Sequence, residues 1–281
     1  MAGGDGMKNV RRVPALAARA RAAHKGDCGR VLVLAGSDGM LGAAMLCATA
    51  AQRGGAGLVR VALPKALMAP FTIAVPCATT LPRTAAVVAR AVLDNDAIVM
   101  GPGLGATAAT TALVANVLAE ARVPVVLDAD ALNVVARPRR GVDRRALHTR
   151  ASLVLTPHPG EAARLLGTTA KAVQQDRRGA LAGLCQRSGA VVVLKGAGTL
   201  VGDGERCYEN PTGNPGLATG GAGDVLTGLL GAFLAEGVAP FDAACAAVHW
   251  HGKAADLVAG RLSERGLIAS DLPLAIAEVL P

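Results

Sequence analysis

The sequence contains very few aromatic side chains. One tryptophan, one tyrosine and three phenylalanines make up 2% of its 281 residues. Proteins that bind single-stranded nucleic acid stack the bases on aromatic rings, so this class of protein is not indicated, and no nucleic-acid-binding motif is visible. The net charge of +8 instead favours a small anionic partner, such as a phosphorylated metabolite.

The sequence also lacks paired cysteines and long apolar runs. Its six cysteines include no CxxC spacing, so neither a disulfide framework nor a cysteine-bound metal cluster is predicted. Glycine and proline interrupt every apolar run well short of a membrane span, and the N-terminus has early arginines but no apolar signal-peptide core. These absences predict a cytoplasmic protein in a reducing compartment, with no membrane segment.

Short apolar runs alternate with longer segments of helical periodicity. Continuous apolar runs of this kind are typical of strands in a parallel sheet that is covered on both faces. Strands are predicted at residues 30–35, 58–63, 97–100, 123–127, 153–155 and 191–194. Helices are predicted at residues 41–53, 107–121, 160–166, 170–188, 224–236, 241–260 and 271–279. The expected fold is one α/β domain over residues 1–281, with residues 1–25 as a candidate loosely attached N-terminal extension.

Residues 210–228 form the most unusual stretch, NPTGNPGLATGGAGDVLTG. A glycine-rich loop that runs into a helix directs free N–H groups at an anion, which makes Gly220, Gly221 and Ala222 a candidate phosphate cradle. A carboxylate at this point would repel phosphate if the loop served binding alone. Asp224 is therefore the candidate general base, acting on a hydroxyl beside the phosphate.

Four further motifs each follow a predicted strand. They are GPGLG at 101–105, DADALN at 128–133, TPHPGE at 156–161 and KGAGT at 195–199. Ligands bind at the carboxyl ends of the strands in open α/β sheets. We therefore expect these loops and the loop before Asp224 to form one site.

Several motif residues also have a structural interpretation. GPGLG could be only a tight turn, and Asp130 could cap the helix that follows it. A metal or phosphate contact is open for Asp128 and Asn133. His249 and His251 lack the spacing of metal ligands and are expected to pack in the core or contact a helix. The basic residues 137–150 are expected to form a solvated surface loop.

The TPHPGE and KGAGT motifs offer charged groups to a ligand. His158 and Glu161 could hold a polar substrate or a hydrated Mg²⁺, although a histidine and a first-turn glutamate are often only structural. Lys195 could present a point charge to phosphate.

Taken in order, these motifs resemble the ADP-dependent NAD(P)H-hydrate dehydratases of the ribokinase-like superfamily, from about residue 26 to the C-terminus. The resemblance implies a single ribokinase-like domain and a carbon–oxygen lyase. Such an enzyme restores NADH or NADPH from the S epimer of its hydrate while ADP is consumed to AMP and phosphate. It also implies Mg²⁺, a homo-oligomer of the homotetramer type, and a separate NAD(P)H-hydrate epimerase.

The resemblance implies roles for individual residues. Those that would contact the hydrated nicotinamide nucleotide are Ala43, Gly103, His158 and Asp224. Those that would bind ADP or AMP are Lys195, Gly196, Ala197, Gly198, Thr199 and Gly223. Glu161 is the candidate metal ligand. The sequence departs from the family at Ala222, where Thr is common, and at Met40, where an aromatic residue is common.

Two other functions compete with this one. A vitamin-precursor kinase of the same superfamily would share Asp224, but such kinases usually have Asn near the position of His158. A nucleotide sensor without activity would not need Asp224. ADP and ATP both stay open as the phosphoryl donor, because each presents the same adenosine and a terminal phosphoryl group.

Overall fold

The structure is a computed structural model that describes residues 6–136 and 149–281. Within these residues, ten strands form one sheet. They are β1 (Lys8–Val10), β2 (Arg30–Leu34), β3 (Leu58–Leu63), β4 (Thr79–Pro82), β5 (Ala97–Met100), β6 (Val125–Leu127), β7 (Leu153–Leu155), β8 (Val191–Leu194), β9 (Leu200–Gly202) and β10 (Arg206–Glu209). Their order across the sheet is β1-β10-β9-β8-β7-β6-β5-β2-β3-β4.

Eleven α-helices occur in the described residues. They are α1 (Leu41–Arg53), α2 (Lys65–Ala74), α3 (Ala85–Leu93), α4 (Ala108–Glu120), α5 (Ala129–Val135), α6 (Pro159–Leu166), α7 (Ala170–Gln175), α8 (Arg177–Ser188), α9 (Ala222–Ala235), α10 (Pro240–Arg261) and α11 (Leu272–Val279). None of them is both long and apolar enough to cross a membrane.

The sheet is mostly parallel, as the sequence predicts. Only β9 runs antiparallel, to both β8 and β10, and β1 joins the edge parallel to β10. Four predicted strands have the observed bounds, whereas β2 and β6 are shorter than predicted by one and two residues. The predicted helix at 170–188 is two helices, because Asp176 breaks it and accepts the N–H of Gly179 at 2.8 Å to begin α8.

Two apolar layers cover the two faces of the sheet. Val31 and Val33 of β2 lie in one core and Leu32 and Leu34 in the other, because successive side chains of a strand point to opposite faces. Helices α1, α9, α10 and α11 contribute to the first core, and α3, α4, α5, α6 and α8 to the second. The predicted α/β class, with helices on both faces, is confirmed.

Helix α9, which carries Asp224 in its first turn, is buried over almost its whole length. It lies against α1, where a Cβ on Gly228 would come within 2.0 Å of the Cys47 carbonyl oxygen. Only glycine permits that approach, although glycine inside a helix costs about 1 kcal/mol relative to alanine. The tight packing fixes the start of α9, and with it Asp224, relative to the sheet.

The N-terminal segment contacts the rest of the domain at several points. Strand β1 pairs with β10, and Met7, which precedes β1, is buried. The Arg19 guanidinium donates to the Gly55 carbonyl and pairs with Glu236. Of the basic segment expected at residues 137–150, residues 137–148 lie outside the described part of the chain.

Candidate active site

The loops after β5 and β6 are joined by a direct hydrogen bond. The Gly105 N–H donates to Asp130 Oδ2 at 2.7 Å. The alternative that Asp130 caps α5 is wrong, because Asp128 occupies the N-cap position and Asp130 lies in the first turn. GPGLG is thus held to DADALN by a side chain, and both motifs face the same edge of the sheet.

The GPGLG loop also contacts the start of α1. A Cβ on Gly103 would lie 2.9 Å from the Met40 Cβ and 3.1 Å from the Ala43 Cβ, so this position needs glycine for the close approach. Two of the residues expected to contact the substrate, Gly103 and Ala43, are therefore neighbours. Met40 is 44% exposed beside them.

Asp128 is the centre of a buried polar cluster. Its side chain is almost completely buried, and its Oδ1 pairs with the Lys195 ammonium at 2.7 Å. The Thr227 hydroxyl of α9 donates to Asp128 Oδ2 at 2.8 Å. The Asp128 carboxylate is thus an ion-pair partner for Lys195.

Lys195 keeps its charge in this cluster. Burial alone would lower the pKa of its ammonium group, but the carboxylates of Asp128 and Glu161 outweigh burial and raise it. A Cβ on Gly223 would lie 3.2 Å from the Lys195 Nζ. The ammonium group therefore lies directly against the first turn of α9.

His158 lies at the start of α6 in a reciprocal capping box. Its Nδ1 accepts the Gly160 N–H at 3.0 Å, while Glu161 Oε2 accepts the His158 N–H at 2.8 Å. Because Nδ1 is an acceptor, the imidazole proton belongs on Nε2, 3.3 Å from Glu161 Oε1. The His158 side chain is half exposed, and Glu161 is buried, which raises the pKa of its carboxyl against the opposing charge of Lys195.

Asp224 lies in the first turn of α9, where no side chain caps the helix. The first N–H groups of a helix have no partner within it, and its positive dipole end attracts anions. Burial, followed by the charge of Asp128, raises the pKa of the Asp224 carboxyl to about 7 against the opposing charge of Lys195. A carboxyl that titrates near neutral pH beside an anion-binding helix end can serve as a base.

A cavity of about 480 Å³ opens between the loop after β8 and helix α10. It is lined by the whole KGAGT motif, which is Lys195, Gly196, Ala197, Gly198 and Thr199. Ala222 and Gly223 also line it, whereas Gly220 and Gly221 lie in the turn before α9. The expected nucleotide-binding residues therefore share one cavity.

His251 forms part of the wall of this cavity. Its Nε2 lies 3.0 Å from the Ala222 carbonyl oxygen, and burial lowers its pKa to about 4. The expected contact with a helix is confirmed: the neutral imidazole donates to the first turn of α9. No sequence pattern predicts its place beside the cavity.

The described residues offer carboxylates for a metal but no complete ligand set. No group of three His, Cys, Asp or Glu side chains within residues 6–136 and 149–281 could hold an ion. Asp128 is engaged by Lys195 and Thr227 and Glu161 by His158, so each carboxylate could offer a metal only its remaining lone pairs. Mg²⁺ usually takes one or two carboxylates and completes its shell with substrate phosphates and water, so this donor set fits a magnesium ion that arrives with a nucleotide.

A family model for NAD(P)H-hydrate dehydratase matches residues 31–278. The chain belongs to the NAD(P)H-hydrate dehydratase family. It is 43% identical over 243 residues to an ADP-dependent (S)-NAD(P)H-hydrate dehydratase of Neisseria meningitidis, covering 86% of this chain and 81% of that protein. The chain spans about half the length of the bifunctional NAD(P)H-hydrate repair enzymes that it also matches.

Two solved structures that are similar to this chain identify its fold. A crystal structure of the ADP/ATP-dependent NAD(P)H-hydrate dehydratase of Bacillus subtilis, co-crystallised with ATP and Mg²⁺, matches with a TM-score of 0.83 and 33% identity, covering 94% of this chain and 93% of that one. A ribokinase-like superfamily protein of Enterococcus faecalis matches with a TM-score of 0.85 and 24% identity, over 100% and 97% of the two chains. The predicted ribokinase-like fold is confirmed.

Proposed function

We propose that the protein is an ADP-dependent NAD(P)H-hydrate dehydratase. It converts the S epimer of NADH or NADPH hydrate to the coenzyme, with ADP consumed to AMP and phosphate. The observation that carries this proposal is the Asp224 carboxyl, with a pKa of about 7, at the uncapped start of α9 and close to Lys195. Membership of the family and the activity for which the Neisseria relative is named support the choice of reaction.

The nucleotide occupies the cavity beside the KGAGT motif in this proposal. Its five residues and Gly223 line that space, and Lys195 supplies a fixed positive charge for the phosphates. ATP is the alternative donor, and the Bacillus relative is described as ADP/ATP-dependent. The hydrated nicotinamide lies on the other side of Asp224, against Ala43, Gly103 and His158.

The reaction begins at the hydroxyl group of the hydrated ring. Asp224 takes the hydroxyl proton, and the oxygen attacks the terminal phosphoryl group of ADP, so that the bond to AMP breaks. Lys195 and the N–H groups at residues 220–223 stabilise the phosphoryl charge. Phosphate then leaves with the electrons of the carbon–oxygen bond, assisted by the ring nitrogen, and loss of a proton from the neighbouring carbon restores the double bond.

Magnesium and the cellular setting complete the proposal. Mg²⁺ would neutralise phosphate charge, and Glu161 is the side chain that would hold it. We expect a cytoplasmic homo-oligomer, a homotetramer by resemblance to the family, with an NAD(P)H-hydrate epimerase as its partner and with neither nucleic acid nor membrane as a ligand. Size-exclusion chromatography tests the oligomeric state.

The test is repair of the S epimer of NADH hydrate in the presence of Mg²⁺ and either ADP or ATP. Recovery of the absorbance of NADH, with AMP and phosphate as products of ADP, supports the proposal. Asp224→Asn is expected to bind ADP normally but to lose about 10²–10⁴-fold in turnover. A stable phosphorylated alcohol formed from hydroxyethylthiazole or a pyridoxine-like substrate, without hydrate repair, would establish the kinase instead.

A further inference from the structure

The KGAGT loop is supported from behind by Arg177, a side chain outside every motif that the sequence suggested. Arg177 is the first residue of α8 and does not line the cavity. Its Nη2 donates to the Leu194 carbonyl at 3.1 Å and to the Gly198 carbonyl at 3.4 Å. Its Nη1 donates to the Lys195 carbonyl at 3.3 Å. One guanidinium group thus holds three carbonyl groups in or next to the loop.

The Arg177 side chain is itself held in place. Its Nη1 also donates to Gln174 Oε1 at 3.0 Å, and the residue is half-buried. Burial lowers the pKa of its guanidinium while the charge of Glu209 raises it, and arginine stays protonated in proteins at any ordinary pH. The loop therefore rests on a fixed and permanently charged donor.

The loop needs such support because of its composition. Gly196 has a φ of +129° and Gly198 a φ of +58°, and an unsupported glycine samples many conformations. A Cβ on Gly196 would lie 3.0 Å from the Arg177 Nη1, so the chain wraps closely around the guanidinium. The glycines allow the loop its shape, and the arginine selects one shape from those available.

We propose that Arg177 is a positioning residue for nucleotide binding, which holds the KGAGT loop in the conformation that receives the phosphates. It binds the carbonyl groups on both sides of the Lys195 side chain, and that side chain in turn pairs with Asp128. The identity of the ligand rests on the proposed function. A lysine could not reproduce the effect fully, because it lacks the planar fork that reaches several carbonyls together.

The test compares Arg177→Ala and Arg177→Lys with Arg187→Ala. Arg187 lies on the same helix, and its Nη1 donates to the Leu166 carbonyl at 2.6 Å, away from the cavity. Hydrogen bonds to a charged group are stronger than those between neutral groups, so their loss should weaken the loop conformation that binds ADP. We expect Arg177→Ala to raise the Kd and KM of ADP about tenfold or more, with Arg177→Lys intermediate.

The same variants separate positioning from general loss of structure. The KM of the hydrate should change by less than about twofold in Arg177→Ala, and Arg187→Ala should leave the ADP constants unchanged. A fall in kcat while the KM and Kd of ADP stay at their wild-type values would overturn the inference. If Arg177→Ala does not fold, the ADP Kd of Arg177→Lys decides the question: a rise supports the role and a wild-type value overturns it.

The Kd of ADP is measured by calorimetry, so this test does not depend on turnover. If the wild-type protein binds ADP and repairs no hydrate, the proposed function fails. The role of Arg177 is then still decided by the ADP Kd of its variants. If repair is observed and the variants bind ADP as the wild type does, only the role of Arg177 is overturned.

Discussion

The ionised carboxylate of Asp224 should cost the folded protein stability, and Asp224→Asn should recover that cost. Burial, followed by the charge of Asp128, raises the pKa of this carboxyl from 3.8 to about 7. A difference of about 3 pH units corresponds to about 4 kcal/mol in the free energy of unfolding. Asparagine has nearly the same shape and no charge, so the variant should gain up to about 4 kcal/mol.

The stability gained by Asp224→Asn depends on pH, because the pKa of the Asp224 carboxyl differs between the folded and the unfolded protein. Below the unfolded pKa of 3.8 the Asp224 carboxyl is protonated in both states, so its contribution to wild-type stability is fully present. As the pH rises from 3.8 to about 7, the group is ionised in the unfolded chain and protonated in the folded one. The wild type therefore loses about 1.4 kcal/mol per pH unit in this window, and the loss is complete above about pH 7.

Urea unfolding followed by circular dichroism measures this difference. Without nucleotide, we expect Asp224→Asn to exceed the wild type by about 1.5 kcal/mol at about pH 5 and by about 4 kcal/mol at about pH 8.5. Glu120→Gln is the control, because Glu120 is an exposed carboxylate at the end of α4. That change should stay within about 0.5 kcal/mol at both pH values.

Two results would refute the reasoning. A gain of the same size at both pH values would mean that the charge of Asp224 is not its cause. No gain at about pH 8.5 would mean that the Asp224 carboxylate is ionised in the folded protein without penalty, as at an open surface. In either case the raised pKa could not explain how Asp224 acts as a base near neutral pH.

Further measurements test the same site. Because Asp224 must be ionised to act, kcat/KM should fall about tenfold per pH unit below about pH 7, and a level profile down to about pH 5 would exclude Asp224 as the base. Lys195→Met should lower the free energy of unfolding by about 3–5 kcal/mol in urea titrations, because it leaves Asp128 buried without its partner; an unchanged value would mean that the ion pair contributes nothing. Gly103→Ala forces a side chain against Met40 at a positive φ and should raise the KM of the hydrate about tenfold while the Kd of ADP stays constant; a change in ADP binding alone would contradict the separation of the two subsites.

The sequence predicts the central strands well and the outer ones poorly. Strands β5, β7 and β8 are continuous apolar runs because both faces of the sheet are covered there. The outer strands β4, β9 and β10 are short and read TTLP, LVG and RCYE. Such strands are recognised by their pairing partners across the sheet, which a local pattern does not contain.

The sequence also predicts one part of the candidate site and not the other. The loops that bring Lys195, Asp224 and the glycines together follow from the rule that ligands gather at the carboxyl ends of strands. The contacts within the site do not follow from that rule. Asp128 contacts Lys195 and Thr227, which lie 67 and 99 positions further along the chain. Arg177 contacts the KGAGT loop because α8 packs behind that loop. Helical spacing could have suggested Thr227, which lies one turn after Gly223.

Strand β1 pairs with a strand that lies far along the chain from it. Lys8 of β1 pairs with Arg206 of β10, so β1 can join the sheet only after β10 has formed. Pairings between such distant segments form slowly, and an unpaired strand edge is a site for aggregation. Asn210, which lines the nucleotide cavity, follows β10 directly. The strand that leads into this wall of the cavity therefore keeps an open edge until β1 has paired with it.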